Sequence, residues 1–236
     1  MKLLKTGLLA TTLLCGAISF AQTADEIIAK HIDALGGKDK ISSIKSLYME
    51  TSSQIMGNDA PGTITILNGK GMKAETEFNG SKMIQCYTET GGWATNPMGG
   101  NTPEAMPEEH FKAGKAQLQI GGELFDYAAK GAKAELQGKD GNLFKIKVTG
   151  KDSSESTYYI DPSTYLITKM TKSGVIMGQQ VEVVSTFSDY KKTDYGYTVP
   201  YTTQLDLGSM FSITSTVKKI EINKPVDPKI FEMPAK

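Results

Sequence analysis

The residues that could do chemistry in this chain are few and scattered. There are two histidines, His31 and His110, and neither belongs to an H-E-x-x-H motif. The stretch around His110 reads "EEHF" and lacks the second histidine that zinc binding on one helix face requires. No G-x-S-x-G elbow and no phosphate-binding loop occurs. The sequence therefore predicts no catalytic residues, no metal site and no cofactor, and we expect a protein that is not an enzyme.

The other polar candidates have simpler interpretations. Asp161 lies in "YIDPSTY", where an aspartate followed by proline favours a turn that bonds its own backbone. Asp194 and Gly196 supply a second turn in "TDYGY". Cys86 falls in a segment of alternating polarity, where a buried small apolar residue is the default interpretation. His31 lies near the apolar edge of a helical pattern and is interpreted as a packed or solvent-facing side chain.

The N-terminal segment predicts export. A basic start precedes the uncharged run "LLATTLLCGAISF", which is too short to span a membrane comfortably. Together with the small residues that follow, this run predicts a signal peptide at residues 1–21, cleaved after Ala21. Acylation at Cys15 is disfavoured, because Leu14 stands where such processing needs a small residue. The mature protein is then residues 22–236.

Composition excludes several classes of partner and fold. The formal net charge is +0, so no nucleic-acid partner is expected. All 26 basic residues are lysine, and lysine cannot clamp phosphate or carboxylate bidentately as arginine does. Once the signal peptide is removed, Cys86 is alone, so the fold must depend on apolar burial and not on a disulfide. Eleven methionines suit either an adaptable binding surface or loose core packing.

The clearest helix begins the mature chain. Thr23 and Glu26 have the spacing of a capping box, and a glycine pair follows the helix. Ile28, Ile32 and Leu35 recur at helical spacing and give the helix one apolar face. A second helical region is predicted from Pro103 to about Ile120.

Most of the remaining chain alternates between polar and apolar residues. From Leu47 onward, short alternating segments are separated by Gly, Asn, Asp and Pro, and we count about eleven strands. Asn79-Gly80 is a strong hairpin signal between two of these strands. No linker or low-complexity stretch divides residues 22–236, so one mainly β domain with less than about a quarter helix is expected.

The order of these segments resembles a known family. The runs "IIAKHIDALGGKDKISSIKSLYMETSSQIMG", "MIQCYTETGGWATNPMGG", "YYIDPSTYLITKM", "VEVVSTFSDYKKTDYGYTVPY" and "IEINKPVDPKIFEMP" resemble the outer membrane lipoprotein-sorting protein-like family, allied to the LolA/LolB lipoprotein carriers. The resemblance covers essentially the whole mature chain. It implies a strongly curved antiparallel sheet, an incomplete β-barrel, wrapped around helices on its concave face. It further implies a periplasmic carrier or sensor with a lipid-like or acylated ligand, envelope lipoproteins included.

One departure from the family bears on mechanism. The periplasmic carrier of the family uses an arginine to hold its closed state and respond to cargo, and this chain has none. The resemblance therefore implies binding of an apolar ligand rather than the same cargo-driven switch, and we expect the protein to act as a monomer. Two alternatives stay open: a structural or interaction module of the envelope with a filled core, and a hydrolase with an unrecognised site.

The resemblance also indicates where a ligand would lie. The cavity between sheet and helices is predicted to be lined by apolar side chains from the middle of the chain: Trp93, Met98, Met106, Phe111, Leu118, Leu124 and Phe125. Trp93 is the only tryptophan, and it has two interpretations. It is either an anchor of the core or hairpin, since large aromatics dominate core energetics, or a residue of the cavity rim beside Met98 and the Phe111 helix.

Overall fold

One antiparallel sheet contains most of the chain in the computed structural model, which describes residues 22–55, 57–95, 101–176, 179–208 and 212–234. Within those residues the sheet has 13 strands. In chain order they are β1 (Ser46–Ile55), β2 (Asn58–Leu67), β3 (Gly71–Phe78), β4 (Ser81–Thr88), β5 (Gly92–Thr95), β6 (Pro103–Ala105), β7 (Lys133–Asp140), β8 (Leu143–Thr149), β9 (Glu155–Ile160), β10 (Ile167–Ile176), β11 (Gln179–Lys192), β12 (Thr198–Asp206) and β13 (Ser212–Ile222). Across the sheet the order is β6-β5-β4-β3-β2-β1-β13-β12-β11-β10-β9-β8-β7. Two meanders therefore meet where β1 pairs with β13.

Short helices accompany the sheet in the described part of the chain. They are α1 (Ala24–Ala34), α2 (Lys38–Ser43) and α3 (Glu108–Gly114), with 3₁₀ turns at Lys115–Leu118 and Pro228–Phe231. None of the helices in these residues is long and apolar enough to cross a bilayer. The predicted capping box is confirmed: Glu26 N–H donates to Thr23 Oγ1, and Thr23 N–H donates to Glu26 Oε2 at 2.9 Å. These bonds satisfy backbone donors that the first turn of α1 would leave unpaired.

The sheet is strongly curved, as the resemblance implied. The chain from residue 106 to 132 joins the two edge strands, β6 and β7, by crossing one face of the sheet. In this connection Leu118 packs on β3 and β4, and Glu123 bonds the Tyr158 hydroxyl on β9 at 2.5 Å. The five residues from Leu118 to Glu123 span at most about 18 Å of backbone. In a flat sheet β3 and β9 would be about 34 Å apart. The Glu123 and Tyr158 side chains span part of this difference, and the curvature of the sheet supplies the rest.

Alternation gives the two faces different compositions. Residues that pair across strands share a face, and successive residues along a strand point to opposite faces. Leu47 pairs with Ile66, Ile66 with Met72, and Met72 with Tyr87, and all four lie on the face that carries α1, α2 and α3. We call this concave side the inner face and the opposite side the outer face.

Two sequence predictions need correction. The sheet has 13 strands instead of about eleven, because β5 and β6 were not counted. The helix predicted from Pro103 to about Ile120 is divided into β6, α3 and a 3₁₀ turn. Pro103 pairs with Thr95 at the edge of the sheet, where a residue without a backbone N–H is tolerated. Three residues are too few to show alternation, so β6 depends on its pairing with β5.

Candidate ligand-binding site

The largest apolar cluster covers one half of the inner face. Ile28 and Ile32 of α1 pack there with Leu124 from the crossing connection and with Ile146 of β8. Leu124 is 2% exposed and Ile146 is fully buried. Phe125 is half-buried and packs against the same cluster. This half, which we call the covered half, is a filled core in which the predicted residues Leu124 and Phe125 hold the helices to the sheet.

A second cluster lies on the same face beneath α3. Its buried members are Met72, Tyr87 and Leu118, and the half-buried Met106 and Phe111 pack against them. A β-carbon at Gly114 would overlap the Tyr87 ring, so only glycine lets the end of α3 approach β4 this closely. Three of the predicted residues, Met106, Phe111 and Leu118, are therefore brought together on the inner face.

Trp93 belongs to a third cluster, on the outer face. It pairs with Cys86 across β4 and β5, and Cys86 precedes Tyr87, so the two neighbours point to opposite faces. Phe231 from the C-terminal 3₁₀ turn completes the cluster, and the Trp93 Nε1–H donates to its carbonyl at 2.9 Å. The Cys86 thiol donates to the same carbonyl at 3.3 Å, and burial raises the pKa of that thiol to about 11. Trp93 anchors the C-terminal segment.

The seven predicted residues therefore occupy different places. Met106, Phe111 and Leu118 lie together, Leu124 and Phe125 lie in the covered half of the same face, and Met98 is outside the described residues. The predicted position of Trp93 beside the Phe111 helix is not what the structure shows, because the pleat of β4 separates them by the thickness of the sheet. Of its two interpretations, the structure supports the core anchor.

The inner face continues beyond these clusters as a strip that no cluster of described residues covers. We call this region the distal strip; it consists of the inner-face positions at the strand ends far from α1 and α2. Its direction follows from one row of paired residues that starts in the covered half at Tyr158 and Met170 and passes through Ser185, Leu205, Ile213 and Ile55. By the same register the strip takes residues from nine strands. From β9 to β13 these are Ser156, Lys172, Gly174, Val181, Val183, Ser185, Phe187, Thr203, Leu205, Ile213, Ser215 and Val217. From β1 to β4 they are Thr51, Ser53, Ile55, Asn58, Ala60, Gly62, Thr76, Phe78, Ser81, Met83 and Gln85.

The distal strip is apolar and hydroxyl-rich, and its larger apolar side chains are partly exposed. Phe78, Met83, Leu205 and Ile213 are neither buried nor members of any of the three apolar clusters formed by described residues. Most outer-face neighbours along the same strands are polar, for example Gln204 beside Leu205. Because a solvent-facing surface without a binding role is normally polar, a partly exposed apolar strip on a concave face is a candidate binding surface.

The remaining chemical candidates have structural roles. Asp161 Oδ1 accepts hydrogen bonds from the backbone N–H groups of Ser163 and Thr164, which confirms the predicted turn. His31 is 2% exposed, and its Nδ1 lies 2.8 Å from the Tyr165 carbonyl. Since a carbonyl only accepts, Nδ1 carries the proton, and burial lowers the pKa of His31. Across the described ranges no three His, Cys, Asp or Glu side chains come together to hold a metal.

The distal strip was missed by sequence reasoning, although part of its signal is present. The alternation of apolar and polar residues in "MFSITSTVKK" and "YTTQLDL" shows that one side of each strand is apolar. Which apolar residues a helix covers depends on where the connection crosses the sheet, and local alternation carries no information about that crossing.

Comparisons with known proteins bear on the fold. No family model matches the chain, and no curated protein matches it in sequence. Solved structures do match. A DUF1329 family protein from Desulfovibrio piger superposes with a TM-score of 0.59 at 14% identity, over 89% of this chain and 97% of that one. A LolA superfamily protein from Nitrosomonas europaea gives 0.59 at 10% identity, over 90% and 98%.

A third structure gives the same result. A putative outer membrane lipoprotein-sorting protein domain from Vibrio parahaemolyticus has a TM-score of 0.58 at 13% identity, over 88% of this chain and 97% of that chain. The chain has the LolA-like fold. The predicted resemblance is confirmed at the level of architecture, and identities this low establish the fold alone.

Proposed function

We propose that this protein is an exported, non-enzymatic binding protein of the cell envelope that holds a lipid-like ligand on the inner face of its sheet. The observation that carries the proposal is the distal strip, where half-exposed apolar side chains continue the surface that the helices cover elsewhere. The LolA-like fold supports it, since one structural neighbour is described as a lipoprotein-sorting domain. The N-terminal export signal predicted at residues 1–21 supports the location.

The ligand would lie between the distal strip and the cluster beneath α3. Met106, Phe111 and Leu118 form the border of that space, and flexible Met106 adapts to irregular apolar shapes. Leu124 and Phe125 support it from the covered half. A buried methylene contributes about 0.8 kcal/mol, so a chain of about ten contributes about 8 kcal/mol. After a binding entropy cost of several kcal/mol, this leaves roughly millimolar affinity from the chain alone.

Paired substitutions on β12 test the proposed surface. The delipidated mature protein is loaded with Nile red, and dodecanoic acid is titrated to displace the dye. Leu205→Asp places a charge on the distal strip and is expected to weaken dodecanoic acid binding by at least about tenfold. Gln204→Asp places the same charge on the outer face of the same strand and is expected to leave affinity near that of the wild type.

Two outcomes would contradict the proposal. If dodecanoic acid never displaces the dye and no lipid co-purifies with the protein by mass spectrometry, the protein is a structural module of the envelope. If ester, peptide or glycoside substrates are turned over, it is a hydrolase. Export is tested separately: the N-terminus of the protein from the envelope fraction is expected at Gln22, and an acylated Cys15 would replace a soluble carrier with an anchored one.

A further inference from the structure

The distal strip contains one charged residue among its described positions, Lys172 of β10. Lys172 pairs across the sheet with Ser156 of β9 on one side and with Val183 of β11 on the other. Its side chain is half-buried and makes no ion pair within the described part of the chain. Its positive charge contributes to lowering the pKa of Asp152, which lies in the turn between β8 and β9. A lysine in an otherwise uncharged concave strip is costly unless its ammonium has a partner.

Ser156 provides a second and independent observation at the same place. It is 2% exposed, and its Oγ is the one buried side-chain oxygen or nitrogen without a hydrogen-bond partner among the described residues. The neighbouring Tyr158 hydroxyl donates to Glu123 at 2.5 Å. Burial raises the pKa of Tyr158, and the nearby Ser156 hydroxyl acts in the opposite direction. The two hydroxyls nevertheless do not have the geometry of a hydrogen bond. Buried hydroxyls are normally paired, so an orphan at the edge of a binding surface indicates a missing acceptor.

We propose that Lys172 and Ser156 bind the anionic head group of an acyl-chain ligand. A carboxylate or phosphate accepts from both the Lys172 ammonium and the Ser156 hydroxyl, and such charge-assisted bonds are the stronger kind. The chain would extend from Lys172 over Val183, Leu205 and Ile213 toward Ile55. Four interstrand spacings, about 19 Å, separate β10 from β1 and leave room for a long chain.

Nearby carboxylates limit the position of the head group. Glu123 is occupied by the Tyr158 hydroxyl, and Asp152 accepts from the Ser154 backbone and hydroxyl. Both repel an anion, so the head group belongs between the paired Lys172 and Ser156, where the Lys172 ammonium offsets that repulsion. This geometry disfavours a second negative charge and favours a single carboxylate over a more highly charged group.

This inference rests on the proposed function, and the test distinguishes failure of the head-group site from failure of that function. Dodecanoate and 1-dodecanol share a chain and differ in head-group charge. Lys172→Met is expected to weaken dodecanoate about tenfold and to change 1-dodecanol by less than about twofold, since only the ion pair is removed. Lys145→Met, which removes a lysine from the outer face of β8, is expected to change neither. If neither ligand binds the wild type, the proposed function fails; if both bind and Lys172→Met weakens them equally, only the head-group site fails.

Ser156→Ala distinguishes a ligand contact from a structural serine. Because the hydroxyl has no partner, its removal is expected to leave the Tm unchanged or raised, while dodecanoate affinity falls about threefold or more. A lower Tm with unchanged affinity would show that Ser156 bonds an internal water and would overturn its role. Acetate and inorganic phosphate carry the charge without the chain, and we expect no displacement of Nile red by either. Displacement by both that is lost in Lys172→Met would indicate a small-anion site and overturn the acyl assignment.

Discussion

The covered half of the inner face and the distal strip are built from the same strands, yet they do different work. In the covered half, β12 places Val199 and β1 places Leu47 in the filled core, where they are 6% and 5% exposed. In the distal strip, Leu205 and Ile213 remain half-exposed among serines and threonines. A strand can therefore be covered at one end and open at the other, where we propose that ligand binds. What distinguishes the ends is whether a helix covers them.

The largest test of this contrast compares two leucine truncations. Leu124→Ala is expected to lower the free energy of unfolding by about 3 kcal/mol, because it leaves a cavity in a filled core. Leu205→Ala is expected to cost at most about 2 kcal/mol, because its side chain is already partly exposed to water. Urea denaturation measures both. Equal losses of stability would show that the distal strip is packed as tightly as the covered half.

Trp93 sharpens the contrast between the faces. Trp93→Phe removes the hydrogen bond to the Phe231 carbonyl and part of a buried ring, and is expected to lower the free energy of unfolding by about 2 kcal/mol. Dodecanoic acid affinity is expected to stay the same, because Trp93 lies on the outer face. A variant that lost ligand binding and kept its stability would return Trp93 to the binding site.

Acid is expected to weaken the covered half through His31. The pKa of His31 in the folded protein is below 6.5 because the ring is buried. The unfolded chain therefore takes up the proton first as the pH falls, and folding loses stability from about pH 6.5 down to the folded pKa, by at most about 1.4 kcal/mol per pH unit. Urea denaturation at pH 7.5 and 5.5 measures this loss. His31→Leu is expected to abolish this dependence of the free energy of unfolding on pH, and His110→Gln is expected to retain it. If His31→Leu retained it, another titrating group would be the cause.

The smallest expected effect is in the distal strip. Ser53 and Ser215 hydroxyls lie 2.7 Å apart and bond across β1 and β13. Ser215→Ala removes that bond and is expected to cost less than about 1 kcal/mol, since the strip is partly hydrated. Ligand affinity is expected to be equal or slightly higher, because the strip becomes more apolar. A large loss of stability, measured by thermal denaturation, would mean that these hydroxyls hold the two meanders together.

Sequence reasoning succeeded where the signal was local. The capping box at Thr23 and Glu26, the turn at Asp161 and the hairpin at Asn79-Gly80 are all present; Asn79 and Gly80 have φ angles of 50° and 74°. Each depends on residues within a few positions of one another, so the residue types alone decide them. The two short strands β5 and β6 were missed because only their pairing makes them strands.

The candidate site was predicted only in part, for a related reason. The structure places the predicted apolar residues between Met106 and Phe125 on the concave face, whereas it places Trp93 on the outer face. In a strand, adjacent residues face opposite sides of the sheet, so residues that are neighbours in sequence do not have side chains in the same site. Ser156 and Lys172 meet only through the register of β9 and β10.

The sequence by itself determined the elements of this protein: one capped helix at the start, a succession of alternating strands, and the turns that separate them. Those features follow from backbone preferences and from the periodicity of side chains, which act over a few residues. Only the tertiary structure decided which apolar residues are covered and which remain open. That outcome depends on how far the sheet curves and where the connection from β6 to β7 crosses it, and both are set by packing between residues far apart in the chain.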